Sequence, residues 1–188
     1  MRKLFLMAVL TVASFGVTSM TTQAQMMNGN PTVGGAAMYK NKNIVENALN
    51  SPIHTTLVAA VKAAGLVDTL MGKGPFTVFA PTNSAFDKLP AGTVETLVKP
   101  ENKEMLTKIL TYHVVAGKMD AKKIMSAIKK GGGSAMLTTV SGDTLTATMS
   151  GKMLILRDEK GGTSTVTTAN VYQKNGVIHV IDTVLMPN

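Results

Sequence analysis

The feature that most limits the fold is the second half of the chain, which consists of short apolar segments separated by turn residues. Five segments rich in β-branched residues follow one another: SAMLTTV, DTLTATM, KMLILRD, STVTTANVY and GVIHVIDTVLMP. The separators SGD, SGK, EKGG and KNG supply the Gly and Asn residues that tight turns favour. This pattern predicts successive antiparallel strands over residues 134–187.

The first half of the chain predicts mainly short helices. In the segment that follows His54, Leu57, Val61 and Ala64 are spaced to share one helix face, and Gly65 stands where a helix would end. Further short helices are predicted in residues 82–89, twice in residues 91–110, and in residues 120–130. This half therefore supplies helices to pack against the strands of the second half.

Two β-prone segments interrupt the helices. The apolar run from Phe76 to Ala80 predicts a buried strand that ends at Pro81, because proline cannot extend a hydrogen-bonded ladder. Residues 111–115 switch to β-branched and aromatic side chains, which places His113 on a second predicted strand. Helices followed by strands predict an α+β fold in which antiparallel pairing dominates.

The first 24 residues have the order of a secretory signal peptide, although an uncleaved anchor remains an alternative. Two basic residues precede an apolar stretch that ends near Val17, and small and polar residues follow as far as Ala24. The apolar stretch is shorter than the roughly 20 residues of a membrane span. We therefore expect a signal peptide at 1–24, a flexible linker at 25–39 and one domain at 40–187, secreted or periplasmic and without a transmembrane span after cleavage.

Composition narrows the classes of function. The sequence has no cysteine, which excludes disulfides, thiol nucleophiles and thiolate metal sites. The formal net charge is +8, but after the leader the only arginine is Arg157. Because nucleic-acid readers commonly use arginine forks and aromatic stacking platforms, we expect no nucleic-acid partner. We interpret the lysine excess as solubility and weak attraction to anionic surfaces, and a polyanion or envelope partner remains an alternative.

The residues that could support catalysis or metal binding are scattered. Neither a GxSxG nucleophile elbow nor a helical histidine pair occurs in the sequence. One alternative is a metal-dependent or hydrolytic enzyme that uses His113 and His179 with Asp182 or Asp120. For isolated histidines on apolar segments, however, bonding of buried backbone groups is the commoner role. The 14 methionines are interpreted as core filling rather than as a Cu(I) site, and we expect no cofactor.

Three segments in order resemble the signature motifs of the fasciclin domain family. These segments are GPFTVFAPTNSAFDKLP at 74–90, LTYHVVAGK at 110–118 and NGVIHVIDTVLMP at 175–187. The resemblance extends over about residues 40–187 and is greatest to small secreted bacterial members with a single domain. It implies a wedge of two β-sheets with several short helices packed against it, which agrees with the α+β prediction.

The resemblance also implies a function. Fasciclin domains are extracellular or cell-surface adhesion modules that bind other proteins, matrix components or glycans, and neither catalysis nor a cofactor characterises the family. The expected protein is thus a non-enzymatic, monomeric adhesion module of the exported compartment, whose partner is an extracellular or cell-surface protein or glycan. A carrier of an apolar small molecule or lipid remains an alternative.

The resemblance further implies which residues form the family motifs. Tyr112 and His113 match the tyrosine-histidine segment, which the family links both to adhesion and to packing. Animal members often carry an Asp-Ile pair implicated in integrin binding, where this chain has Asn170 and Val171, so integrin-type recognition is not expected. The remaining adhesion or structural candidates lie in the second signature motif: Asn175, Gly176, His179 and Asp182.

Overall fold

The structure is a computed structural model, in which residues 30–188 are described. The predicted signal peptide at 1–24 and residues 25–29 of the predicted linker lie outside these residues. Seven α-helices occur in the described part of the chain: α1 (Ile44–Leu49), α2 (Thr55–Ala64), α3 (Val67–Met71), α4 (Asn83–Phe86), α5 (Thr93–Leu97), α6 (Lys103–Tyr112) and α7 (Ala121–Lys130). A short 3-10 turn, Pro100–Asn102, precedes α6.

Seven strands form one sheet with the order β2-β1-β7-β6-β5-β4-β3 within the described residues. They are β1 (Phe76–Pro81), β2 (Val114–Ala116), β3 (Ser134–Thr138), β4 (Thr144–Ser150), β5 (Met153–Arg157), β6 (Thr163–Gln173) and β7 (Gly176–Ile181). Of these seven described strands, only β1 and β7 pair in parallel, and the other neighbours pair in antiparallel fashion. The predicted α+β fold dominated by antiparallel pairing is therefore confirmed.

The family resemblance predicted two β-sheets, and the long strand β6 joins the two parts of the observed sheet that correspond to them. Its first residues, Thr163–Thr165, pair with β5, whereas Val166–Gln173 pair with β7. The register of the β6–β7 ladder shifts twice between Val166 and Val171. Such shifts bend a strand and increase its twist, so β6 can belong to both parts of the sheet.

Each part of the sheet covers its own core. One core lies where α1, α2, α3 and α6 pack on β1 and β7, and the other lies between α7 and β3, β4 and β5. The second core follows directly from the sequence pattern. In β4, Leu145 and Ala147 are buried between partly exposed threonines, and in α7 Ile124 and Ile128 face the strands at helical spacing.

The strand predicted at 111–115 is wrong in its first residues. Helix α6 continues to Tyr112, His113 caps it, and β2 begins only at Val114. Helical backbone at this point buries Leu110 and Tyr112 in the two cores, and this packing outweighs the β propensity of Thr111 and Tyr112.

The linker predicted at 25–39 also needs correction over residues 30–39. Asn30, Val33 and Met38 are buried, and Val33 and Met38 belong to the first core. Gly and Pro in this stretch suggested a flexible tether, but its few apolar residues are enough to attach it to the first core.

None of the helices between residues 30 and 188 combines the length and apolar character that a membrane span requires.

Candidate functional site

Tyr112, at the end of α6, is completely buried and connects three elements. Its hydroxyl donates to the Thr144 carbonyl of β4 at 2.9 Å and accepts from the Glu159 N–H at 3.3 Å. Burial raises the pKa of the Tyr112 hydroxyl to about 12, with a smaller opposing effect of the Glu159 hydrogen bond. The phenol therefore stays protonated and serves as a link between α6, β4 and the turn after β5.

His113 is fully buried and has both ring nitrogens engaged by backbone groups. Nδ1 lies 2.8 Å from the Ile109 carbonyl, and Nε2 accepts from the Leu185 N–H at 3.1 Å. Because a carbonyl only accepts and an amide N–H only donates, the proton sits on Nδ1. Burial lowers the pKa of His113 to about 4, although the Ile109 hydrogen bond opposes this shift. The imidazole is thus neutral at neutral pH and ties α6 to the C-terminal segment.

Among the other members of the enzyme hypothesis, His179 and Asp120 lie near each other, but His179 bonds to main chain and not to the Asp120 carboxylate. His179 Nε2 is 2.9 Å from the Met119 carbonyl, and its ring stacks on Phe79 at 5.6 Å between centroids. Burial lowers the pKa of His179 as well, against the weaker effect of the Met119 hydrogen bond. Asp120 caps α7 by accepting from the Lys123 N–H. Among the described residues, no group of three His, Asp or Glu side chains is placed to hold a metal ion.

Asp182 stabilises the turn that follows β7. Its Oδ1 accepts from the Thr165 N–H at 2.8 Å and from the hydroxyls of Ser164 and Thr183 at 3.1 Å, while Oδ2 lies 3.8 Å from Lys88. Burial alone would raise the pKa of Asp182, but these hydrogen bonds and the lysine together lower it. Asp182 is therefore an ionised acceptor at neutral pH.

Asn170 and Val171 lie in the irregular part of β6. Asn170 adopts φ 62°, and its Oδ1 accepts from the Ala121 N–H at the start of α7 at 2.8 Å. Val171 is completely buried in the first core. The Val171 side chain is therefore inaccessible to a partner, and Asn170 is partly exposed with its Oδ1 already engaged.

Asn175 lies in the turn between β6 and β7, and Gly176 is the first residue of β7. Asn175 Nδ2 donates to the carbonyls of Leu70 and Gly72 at 2.8 and 3.0 Å, and its Oδ1 accepts from the Ile44 N–H at 3.0 Å. A Cβ atom on Gly176 would lie 2.1 Å from the Phe76 carbonyl oxygen, so only glycine fits there. The turn thus fixes the start of α1, the end of α3 and the parallel β1–β7 pair.

Beside this turn lies a surface groove that the sequence reasoning did not identify. We name it the lysine groove: an open depression of about 660 Å³ between the start of α1, the α3–β1 connection and the β6–β7 turn. The residues that line it are Asn41, Asn43, Glu46, Met71–Pro75, Lys118 and Lys174–Gly176. Its lysines, Lys73, Lys118 and Lys174, are far apart in the sequence, so no basic run could have indicated the groove.

Two further lysines adjoin the lysine groove. Lys40 and Lys118 place their ammonium nitrogens 5.8 and 5.0 Å from the ring centroid of Tyr172, and Lys42 lies 5.1 Å from that of Tyr39. The main chain of Lys174 donates to the Lys42 carbonyl at 2.9 Å. These contacts bring five lysines to one face of the molecule.

Among residues 30–188, few carboxylates lie near these lysines to balance their positive charge. Glu46 is the one carboxylate among the lining residues, and it accepts from the Asn43 N–H at 2.7 Å within the cap of α1. In residues 30–188 the ion pairs join Lys88 to Asp182 and Lys108 to Asp143, both at 3.8 Å. The groove therefore concentrates positive charge.

A second feature is an internal apolar cavity of about 70 Å³ between α1, α2, α3, α6 and β1. Nearly all of its walls are aliphatic or aromatic, and they include Ala48, Val58, Val61 and Phe76. His113 also borders the cavity, but both of its nitrogens are bound to backbone groups. The space suits a small apolar group and offers almost no hydrogen bonds.

Comparisons with known proteins agree with this fold. The sequence profile of the fasciclin domain matches residues 52–187. Protein sll1483 of Synechocystis sp. is 48% identical over 156 residues, with 82% of this chain and 79% of that protein covered. The cell surface glycolipoprotein MPB83 of Mycobacterium bovis is 36% identical over 170 residues, with 87% of this chain and 70% of that protein covered.

Among solved structures, a domain pair of the insect cell adhesion molecule Fasciclin I matches with a TM-score of 0.69 at 19% identity. The match covers 78% of this chain and 51% of that chain, so this protein spans about half of the two-domain structure. At this level of identity the likeness concerns the fold.

Proposed function

Because this chain belongs to the fasciclin domain family, we propose that it is a non-catalytic interaction module that binds extracellular or cell-surface proteins or glycans. The lysine groove is the observation that carries the proposal, because it is an open surface with concentrated charge. The motif residues Tyr112, His113 and Val171, in contrast, are buried and hold the fold together. Recognition is therefore assigned to the surface beside the second signature motif, and the motif itself to the scaffold.

Charge and compartment support this assignment. A depression that carries one sign of charge raises the local concentration of an oppositely charged partner and speeds association. The leader expected at 1–24 would place the protein in the periplasm or outside the cell, and a relative bears the name cell surface glycolipoprotein. A secreted or envelope-associated module would meet its partners there.

The direct test is deletion of the gene, followed by measurement of surface attachment and biofilm formation on charged and neutral supports. We expect attachment to fall several-fold on at least one support and to return when the full chain is supplied on a plasmid. A strain that supplies the protein without its first 24 residues serves as control, since that protein should stay inside the cell. Unchanged attachment of the deletion strain on every support would contradict the proposal.

The apolar cavity favours a second candidate function, the transport of a small apolar molecule. Its volume of about 70 Å³ is roughly half of the 150 Å³ that holds benzene in an engineered cavity. The cavity would therefore take a small molecule or the end of an alkyl chain. Its nearly complete apolar lining disfavours a polar ligand.

Native mass spectrometry of protein purified from its own envelope tests this second function. A carrier should show an added mass, and Ala48→Leu, which fills the cavity wall, should remove it. The matched control is Ala63→Leu, which makes the same change at an exposed position of α2. Protein that is free of ligand in every preparation would rule out transport.

A further inference from the structure

We propose that the lysine groove binds an anionic polysaccharide, through the carboxylate or sulfate groups of consecutive sugar units. This inference rests on the proposed function, because it names the partner class of the same surface. Three observations support it: uncompensated charge, a rigid frame that holds the charges together, and the shape of the depression.

The charge balance favours an anionic partner. Five lysines lie in or beside the groove, and Glu46, whose carboxylate keeps its charge while it accepts from the Asn43 N–H, offsets only one of them. Ammonium groups that are held near each other repel, and this repulsion is relieved when an anion binds among them. A second open groove of about 660 Å³ provides a contrast, because it is lined by Glu101 and Glu104 as well as Lys103 and Lys108. Its balanced charges give an anion no comparable attraction.

The lysines are held by a frame that is fixed in several places. Asn175 bonds to the main chain of Leu70, Gly72 and Ile44, so the turn that carries Lys174 is attached to the segments beside Lys42 and Lys73. The lysine ammonium groups lie over aromatic rings: those of Lys40 and Lys118 over Tyr172, and that of Lys42 over Tyr39. Such stacking limits the motion of the side chains and lowers the entropy lost when a ligand binds.

The shape of the groove distinguishes among polyanions. Protein partners usually bury an aromatic or arginine anchor in a central pocket, whereas this groove is lined mainly by lysine, asparagine and glycine residues. Nucleic acids favour arginine forks and free stacking platforms, whereas the residues that line the groove include lysines but no arginine, and the neighbouring rings of Tyr39 and Tyr172 lie under lysine ammonium groups. A flexible chain of charged sugars fits an open groove of point charges.

Binding of the mature chain to dextran sulfate and to polygalacturonate, with uncharged dextran as reference, tests the inference. The test variant is Lys118→Gln with Lys174→Gln. The control is Lys129→Gln with Lys130→Gln, which removes the same charge from the exposed end of α7. Melting curves of both variants should match that of the unaltered protein, because all four side chains are exposed.

We expect the unaltered chain to bind both acidic polymers and not dextran, with affinity that falls as salt rises. The groove variant should bind at least about tenfold more weakly, and the control variant within about twofold of the unaltered chain. Equal losses in both variants would overturn the inference, since they would indicate attraction to net charge alone. Tighter binding to polyglutamate or to single-stranded DNA than to either acidic polysaccharide would also overturn it.

Attachment assays separate failure of this inference from failure of the proposed function. If the deletion strain loses attachment and the groove variant restores it fully, the protein is an interaction module that does not use the lysine groove. If the groove variant fails to restore attachment while the control variant succeeds, the same surface serves both binding and attachment.

Discussion

At the scale of single residues, His113 and Tyr112 show how a polar motif can serve the interior of a protein. The two side chains are adjacent at the end of α6, and each bonds to main chain outside that helix, at Leu185 and Thr144 respectively. A buried imidazole with one donor and one acceptor can satisfy a carbonyl and an amide at once, which no aliphatic side chain can do. The pair therefore connects elements that the chain places far apart.

His113→Gln should lower the free energy of unfolding by about 1–3 kcal/mol, because at least one of the two buried backbone partners loses its hydrogen bond. Urea unfolding followed by circular dichroism measures the change. Glu104→Gln, at an exposed position of the same helix, is the control and should stay within about 0.5 kcal/mol. A variant with native stability that has lost polysaccharide binding would instead assign His113 a direct role in recognition.

The buried histidines also predict acid sensitivity. The pKa of His113 is about 4 in the folded protein, compared with 6.5 when exposed. As pH falls below 6.5 the unfolded chain takes up the proton first, so the free energy of unfolding falls until about pH 4, by about 3 kcal/mol in total. His54 and His179, whose pKa values burial also lowers, act in the same direction.

Unfolding free energies measured at intervals between pH 7 and pH 4.5 check this expectation. The unaltered protein should lose stability steadily over that range, whereas His113→Gln should show a shallower slope. Parallel slopes for the two proteins would mean that His113 does not cause the effect.

Sequence reasoning identified the interior role of His113 but not its bonding partners. Apolar neighbours such as Val114 and Val115 predict burial of any side chain between them. Ile109 lies one helical turn away, so a bond to its carbonyl requires only that α6 extend to Tyr112. Leu185 is 72 residues away, and only the complete topology brings it to Nε2.

At the scale of elements, β6 depends on one residue in an unusual conformation. Asn170 has a positive φ, which Asn tolerates better than most residues, and the resulting irregularity directs its side chain to the first N–H of α7. Strand β6 and helix α7 are thus joined where the β6–β7 register shifts. The sequence predicted both elements from periodicity and turns, but periodicity carries no information about a single residue that leaves the strand conformation.

Two substitutions at Asn170 separate the backbone effect from the hydrogen bond to the Ala121 N–H. Asn170→Gly keeps the positive φ and loses this hydrogen bond, so it should cost about 1 kcal/mol. Asn170→Ala loses the hydrogen bond and also strains the backbone, so it should cost about 1–2 kcal/mol more than the glycine variant. Urea unfolding of both proteins gives the comparison. Equal stability of the two variants, or greater stability of the alanine variant, would contradict this account of the bend in β6.

At the scale of the whole molecule, the lysine groove is formed by segments that are distant in sequence. Four of its lysines lie at the ends of different elements: Lys42 before α1, Lys73 after α3, Lys118 after β2 and Lys174 after β6. The sheet order brings these points together. Three motifs in order were enough to predict the family, and the helical first half and strand-rich second half predicted the α+β fold, because these signals are local. The groove depends on tertiary convergence, so the sequence showed only a lysine excess, which we interpreted as solubility and weak attraction to anionic surfaces, with a polyanion partner as an alternative.

The start of the domain also depends on contacts between segments that are distant in the sequence. Sequence composition placed the boundary at residue 40, but Asn30 exchanges two hydrogen bonds with the main chain of Tyr172, at 2.6 and 3.0 Å, and Met38 is buried in the first core. Residues 30–39 therefore contribute to the core and fix the strand that carries Tyr172 beside the lysine groove.

Met38→Ala tests this boundary. If the segment is part of the domain, the substitution removes a buried side chain that is 3% exposed, and the free energy of unfolding should fall by about 2–5 kcal/mol. Met136→Ala, at a position that is 77% exposed on β3, should change it by less than about 0.5 kcal/mol. If both variants unfold at the same urea concentration as the unaltered protein, residues 30–39 form the tether that composition suggested. Weaker polysaccharide binding by Met38→Ala, in conditions where it remains folded, would further indicate that this segment positions Tyr172 and the lysines beside it.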